Sequence, residues 1–121
     1  MTTTNVNNIR SGVNRTSSWN NTAASTSVVL LPQTGGRIPT DLYYQVTGFS
    51  CVPTNDATIT FISGNSTDNT TDKVLWETTV KAGTRIDFAA EDAFINTAIG
   101  DALKITTSAI IGKFTLVVEH K

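Results

Sequence analysis

The chain has 121 residues, a formal net charge of −1 and a charged fraction of only 16%. A chain of this length forms one domain, or two at most, and buries enough surface to fold without disulfides. Its nine basic residues are scattered, which argues against a nucleic-acid-binding surface. Thr, Asn and Ser supply most of the polarity, and such uncharged groups can be covered by another protein without desolvating many charges.

The N-terminal segment, residues 1–26, is polar and shows no sustained hydrophobic period. By itself it buries too little apolar surface to offset the entropy of ordering. Two interpretations stay open: a frayed terminus, and an arm that is disordered when free and orders against a neighbouring protein. In the second, Ile9, Val13 and Trp19 are the anchors, because Trp is favoured at interfaces. The predicted division is an arm over residues 1–26 and a β-sandwich domain over residues 27–121.

Short strand-like segments recur from residue 27 at intervals of about ten residues. The clearest is 57–64, where Ala57, Ile59 and Phe61 alternate with polar neighbours, so that one face points to a core and the other to water. The predicted strands cover residues 27–31, 42–48 with a continuation over 49–52 after a bulge at Gly48, 57–64, 73–81, 85–88, 103–107 and 113–119.

Seven or eight such strands predict an all-β fold, an antiparallel and jelly-roll-like β-sandwich with an extended N-terminal arm. In the segment 73–81, the residues Val74, Trp76, Thr78 and Val80 are predicted to share the inner face. Core packing is the favoured interpretation of Trp76, and ligand stacking is the alternative.

The stretch 65–72 is predicted to be a solvent-exposed loop between two strands. Asp68, Asn69 and Asp72 could supply oxygen ligands to calcium, but the spacing of an EF-hand loop is absent. A plain loop is therefore the preferred interpretation. No metal ion or cofactor is expected.

Two sets of residues are candidates for catalysis, and each has a better structural explanation. Glu91, Asp92 and Asp101 form the nearest approach to a carboxylate cluster, but a helical turn beginning at residues 91–92, with helix capping, accounts for them better. Cys51 lies in an apolar context and is therefore expected to be a buried thiol. A nucleophilic cysteine needs a positioned histidine, and the one histidine of the chain, His120, lies at the extreme C-terminus. The chain is therefore not expected to be an enzyme.

The segment from about residue 42 to 120 resembles small β-sandwich structural proteins from the virions of tailed bacteriophages, of the capsid cement or decoration type. The resemblance rests on Val46-Thr47-Gly48, on the alternating run 57–61, and on 97–106, where a Gly-Asp-Ala-Leu step leads into a strand. It implies a homotrimer on the capsid surface that bridges subunits of the major capsid protein, with residues 1–26 as a docking arm.

The expected function is therefore decoration or cementing of a phage capsid, with the virion as its location and no nucleic-acid or membrane partner. No signal peptide and no run of about 20 apolar residues is visible, so synthesis in the host cytoplasm is expected. The expected partner-binding residues are Ile9, Val13, Trp19 and Tyr43. The alternative is a carbohydrate- or receptor-binding module of a phage tail or surface assembly, with Tyr43, Tyr44, Trp19 and Trp76 as candidate stacking residues.

Overall fold

The computed structural model describes residues 14–31, 43–89 and 95–120. Within these ranges the chain forms β-strands and no helix. The strands are β1 (Asn14–Asn21), β2 (Ser25–Leu31), β3 (Tyr44–Cys51), β4 (Ala57–Gly64), β5 (Lys73–Val80), β6 (Ile86–Ala89), β7 (Ile95–Asn96), β8 (Ala102–Thr107) and β9 (Gly112–His120).

The strands pair in nested order along the chain, and every pair is antiparallel. The innermost pair is β4 with β5, followed by β3 with β6 and β7, then β2 with β8, and finally β1 with β9. The nested pairs form one long antiparallel ribbon. When this ribbon rolls up, β9 lies beside β3 and β8 lies beside β4. Sheet A then has the order β1-β9-β3-β6, with β7 also beside β3, and sheet B has the order β2-β8-β4-β5. This is a jelly roll, which confirms the predicted antiparallel sandwich.

The core between the sheets is built around a connected set of aromatic rings. Trp19 of β1 stacks on Phe114 of β9 with centroids 5.7 Å apart, and Phe49 of β3 meets Phe61 of β4 edge-on at 5.6 Å. Trp76 is partly buried and stacks on Phe61 at 5.8 Å. The predicted core packing of Trp76 is therefore confirmed.

The structure differs from the sequence expectation at the N-terminal segment. Residues 14–21 of the predicted arm form β1, which pairs with β9 from Asn14↔Glu119 to Asn21↔Gly112. The side chain of Trp19 is 1% exposed. With one large apolar side chain, this strand lacks the alternation that marks the others, and long-range pairing with β9 orders it. It supplies a strand beyond the seven or eight expected, while residues 1–13 lie outside the described ranges.

Strand β5 departs from its predicted facing because of a β-bulge. The register with β4 shifts between Phe61 and Ile62, so that Trp76 lies opposite Phe61 but Val74 lies opposite Ile62. Val74 is consequently 60% exposed and does not share the inner face, whereas Leu75 packs against the core. The bulge predicted near Gly48 is confirmed by a register shift between Val46 and Gly48 in the pairing of β3 with β9.

The short strand β7 lies where a helical turn was expected. Ile95 is in β7 and is 1% exposed. Glu91 and Asp92, where that turn was expected to begin, fall outside the described residues.

Candidate functional site

The first candidate region is the Lys104 cluster, formed by Lys104 and the oxygen atoms of Asp68, Asn69 and Asp72. Lys104 lies on β8, on the outer face of sheet B, yet its side chain is 1% exposed. Its Nζ donates to the Asp68 main-chain oxygen at 3.0 Å, to Asn69 Oδ1 at 3.2 Å and to Asp72 Oδ1 at 2.5 Å. The loop at 65–72 is therefore not simply solvated, because it turns back onto sheet B.

The loop has its own internal hydrogen bonds. Asp68 Oδ1 accepts from Asn65 Nδ2 at 3.0 Å, from Thr70 N at 3.0 Å and from Thr70 Oγ1 at 2.8 Å. The Thr70 hydroxyl, followed by the other two donors and the field of Lys104, lowers the pKa of Asp68 below its ordinary value. In this loop the ammonium group of Lys104 occupies the position among oxygen atoms that was considered for calcium. Among the described residues, no three or more His, Cys, Asp or Glu side chains are grouped so that they could hold a metal ion.

The outer face of β4 is correspondingly covered, contrary to the expected water-facing side. Thr60 and Ile62, which alternate with the core residues, are each 6% exposed. Thr60 Oγ1 donates to Glu77 Oε2 at 2.9 Å, and Ser63 Oγ donates to Asp101 Oδ2 at 2.7 Å. Asp101 therefore serves as a structural acceptor at the end of β4.

The second candidate region lies at the end of the sandwich opposite the Lys104 cluster. It is the Asn21 cluster, formed by Asn21, Ala23, Thr107 and Ile111. Asn21 is 0% exposed. Its Oδ1 accepts from Ile111 N at 2.9 Å, and its Nδ2 donates to Ala23 O at 2.9 Å and to Thr107 Oγ1 at 3.3 Å. The arrangement uses both amide hydrogens and leaves no charge inside the protein.

The third candidate region is the hydroxyl face, the outer surface of sheet A formed by Ser18, Thr47, Ser50, Thr115 and Val117. Register places Ser18, Thr115 and Ser50 in one row across β1, β9 and β3. Ser18 Oγ and Thr115 Oγ1 are 3.3 Å apart, and Thr47 Oγ1 donates to Val117 O at 3.2 Å. These side chains carry no charge, so the centre of the face is neutral.

A shallow groove of about 270 Å³ runs along the hydroxyl face near the β3 bulge. Its lining residues are Thr47, Gly48, Phe49, Ser50, Asp87, Thr115 and Val117. Charged groups lie at the rim, where Arg85 Nη2 approaches Asp87 Oδ2 at 3.5 Å and donates to Ser50 Oγ at 3.3 Å.

Of the four residues expected to bind a partner, the structure describes Trp19 and Tyr43. Ile9 and Val13 lie outside the described residues. Trp19 is buried inside its own chain, and its Nε1 lacks a hydrogen-bond partner. Tyr43 is half-buried just before β3. Sequence reasoning missed the hydroxyl face, although the polar alternate positions of β3 and β9 could have indicated it.

The cysteine predicted to be buried is confirmed as such. Cys51 is 3% exposed, and its Sγ lies 4.0 Å from Ile111 O. Burial raises the pKa of this thiol to about 11, so that it remains protonated at neutral pH. A protonated and buried thiol is neither a nucleophile nor an accessible cross-linking group.

Comparisons with known proteins leave the family open. No family model matches the chain, and no curated protein matches it. A solved structure that does match comes from Bacillus endospore appendages, which form a novel family of disulfide-linked pili. It is 23% identical with a TM-score of 0.49, and the match covers 95% of this chain and 96% of that chain. At this level the likeness assigns neither a family nor a function. Among the described residues, no helix is long and apolar enough to cross a membrane.

Proposed function

We propose that the protein is a structural subunit of a surface assembly and docks on a neighbouring protein through the hydroxyl face. The observation that carries the proposal is the neutral centre of that face, where Ser18, Thr115 and Ser50 form one row across three strands. A partner covering this area desolvates few charges, and interface centres are typically depleted of charge. Arg85 and Asp87 lie beside Ser50 on the β6 side of this row, and Asp87 also lines the groove.

The finer role that we propose is decoration or cementing of a phage capsid, with the major capsid protein as partner. The resemblance to virion proteins motivates this role, and jelly rolls recur in capsid domains, although a fold alone does not determine a function. Assembly as a homotrimer would give each particle several weak contacts that reinforce one another. Light scattering on the purified chain tests the trimer.

The docking face is tested by charge insertion on purified capsids. Thr115→Lys places a cation at the centre of the hydroxyl face and should weaken capsid binding by at least about tenfold, because the ammonium must be desolvated. Thr79→Lys on β5 is the matched control, since Thr79 is exposed and lies on the other sheet. Equal binding by both variants would rule out the face. Absence of wild-type binding to any capsid would remove the virion role.

The role of the predicted docking arm is tested by a deletion shorter than the predicted arm, residues 1–26. Removing residues 1–26 would also remove β1 and Trp19, so lost binding would only report unfolding. Removing residues 1–12 leaves β1 intact and deletes Ile9 from the proposed anchors. Capsid binding that survives this deletion and the further change Val13→Ala would leave the hydroxyl face as the docking element and eliminate the arm.

The second candidate is a carbohydrate-binding module, because jelly rolls also occur in lectins. Trp19 and Tyr44 are buried and unsuited to stacking on a sugar, whereas Tyr43 and Trp76 are partly exposed. Binding on a glycan array that is lost in Tyr43→Ala and kept in Thr115→Lys would favour this candidate over protein docking.

A further inference from the structure

The Lys104 cluster combines three groups that together can form an amide bond. The amine of Lys104 is an attacking nitrogen, the side-chain amide of Asn69 is a carbonyl acceptor, and the Asp72 carboxylate can accept a proton. Lys104 Nζ lies 3.2 Å from Asn69 Oδ1 and 2.5 Å from Asp72 Oδ1. The carbon that would be attacked is one carbonyl bond, about 1.2 Å, from that amide oxygen.

We propose that Lys104 and Asn69 become joined by an intramolecular isopeptide bond, with Asp72 as the base that moves the protons. This inference concerns covalent chemistry within the chain and does not depend on the proposed docking role. The bond would fasten β8 to the loop at 65–72, across a sequence separation of 35 residues.

The reaction balances without any other reactant. Asp72 first takes a proton from the Lys104 ammonium, because only the neutral amine attacks a carbonyl. The Nζ lone pair then forms a bond to Cγ of Asn69. The bond from Cγ to Nδ2 breaks, and two protons in total pass from Nζ to the leaving nitrogen. The products are a secondary amide and one ammonium ion, and Asp72 is regenerated as a carboxylate.

The surrounding structure positions the two reacting side chains. Lys104 is flanked on β8 by Leu103 and Ile105, both 0% exposed, which fix the strand against the core. The hydrogen bonds of Asp68 to Asn65 and Thr70 shape the loop on the other side. Holding reactants at contact distance replaces a bimolecular encounter and accelerates reactions strongly.

The two reacting residues differ in their exposure to solvent, and this difference suits the release of ammonia. Lys104 is 1% exposed, so its amine is shielded from water, whereas Asn69 belongs to the exposed part of the loop. Ammonia released at Asn69 can therefore leave directly into solvent. The pair of Lys81 and Asp56 provides a contrast, because its charged atoms are 3.7 Å apart and its side chains are 75% and 66% exposed.

The test is the intact mass of the full purified chain after prolonged incubation. The isopeptide bond lowers the mass by that of one ammonia molecule. Tryptic digestion should then give fragment 38–73 joined to fragment 86–113, since an acylated Lys104 is not cleaved. A wild-type chain that keeps its full calculated mass overturns the proposal. A mass deficit without the joined fragments also overturns it, because it would indicate cyclisation of an asparagine instead.

Variants separate the roles of the residues. Asn69→Ala, at an exposed position, should fold and show its full calculated mass. Asp72→Asn should also keep its full mass, whereas Asp56→Asn at the exposed pair should retain the deficit. If Asp72→Asn is insoluble, the intact mass and the joined fragments of the wild-type chain still show whether the isopeptide bond forms. A deficit that persists in Asn69→Ala would contradict the assignment of the acceptor.

Discussion

At one end of the sandwich, Asn21 joins β1 to the connections at 22–24 and 108–111, whereas at the other end Lys104 joins β8 to the loop at 65–72. Both side chains are buried, at 0% and 1% exposure, and both bind loop atoms directly. They differ in charge. Asn21 exchanges neutral hydrogen bonds, while Lys104 forms an ion pair with Asp72.

The charge of the buried polar group sets how strongly each end of the sandwich depends on it. Losing a neutral partner leaves a buried donor unsatisfied, which costs about 1–3 kcal/mol. Losing one partner of a buried ion pair leaves an uncompensated charge, which costs about 3–5 kcal/mol. The Lys104 end should therefore be the more sensitive to substitution, and also the one sensitive to pH.

The largest effect is expected from Lys104→Met, made in the Asn69→Ala background where no amide bond can form. Asp72, whose side chain is 17% exposed, would lose its cation, and the free energy of unfolding should fall by about 3–5 kcal/mol. Urea denaturation measures the change. Lys81→Met is the control and should cost about 0–1 kcal/mol, because its ion pair is exposed. Equal losses at Lys104 and Lys81 would contradict the comparison.

A smaller loss is expected at the neutral end from Asn21→Ala. The change leaves Ile111 N–H without its acceptor and removes two donated hydrogen bonds, so the loss should be about 2 kcal/mol. Asn20→Ala, at the half-buried neighbouring position, should change stability by less than about 0.5 kcal/mol. A loss at Asn21 that exceeds the loss at Lys104 would reverse the ranking of the two ends.

Substitution of two glycines, one at each end of the sandwich, extends the comparison. A Cβ at Gly64 would collide with Asp72 Oδ1, so Gly64→Ala should displace the carboxylate from Lys104 and cost about 1–3 kcal/mol.

Gly112 has φ +76 and lies near Thr54, where a Cβ would approach Cγ2 at 3.1 Å. Gly112→Ala should cost about 1–2 kcal/mol through backbone strain. Thermal unfolding of both variants checks these values. If Gly64→Ala leaves the stability unchanged, the loop at 65–72 can move to make room for the added methyl group, which would contradict the prediction.

The smallest effect is a local response to acid. The pKa of Asp68 is lowered in the folded protein, so its contribution to stability is present above the unfolded pKa and is lost as the pH falls through the folded pKa. Hydrogen exchange should show the Asp72 amide, which donates to Asn69 O, losing protection at acidic pH before the Ile111 amide does. Simultaneous loss at the two amides would indicate global unfolding instead.

Local alternation was sufficient to identify most of the strands. The segment 57–64 was predicted from its pattern and is β4 with the same limits. The burial of Cys51 and the packing of Trp76 also followed from apolar neighbours. Each of these predictions depends on residues close together in the chain, which is the range over which a hydrophobic period is visible.

Features that depend on distant pairing were not accessible in this way. β1 carries one large apolar residue, Trp19, and exists because β9 lies beside it. The exposure of Val74 results from a bulge opposite Ile62, and nothing in the alternation of 73–81 marks it. The polar positions of β3 and β9 are visible in the sequence, but the row of Ser18, Thr115 and Ser50 required the register that aligns β1, β9 and β3.

The all-β sandwich follows from local sequence, because period-2 alternation commits each segment to a strand with a core-facing side. The nested pairing of the strands and the burial of Lys104 arise only in the folded molecule. A lysine at an alternating polar position is expected to be solvated. Its burial arises only when the oxygen atoms of the loop at 65–72 surround its ammonium group and replace the hydrogen bonds of water.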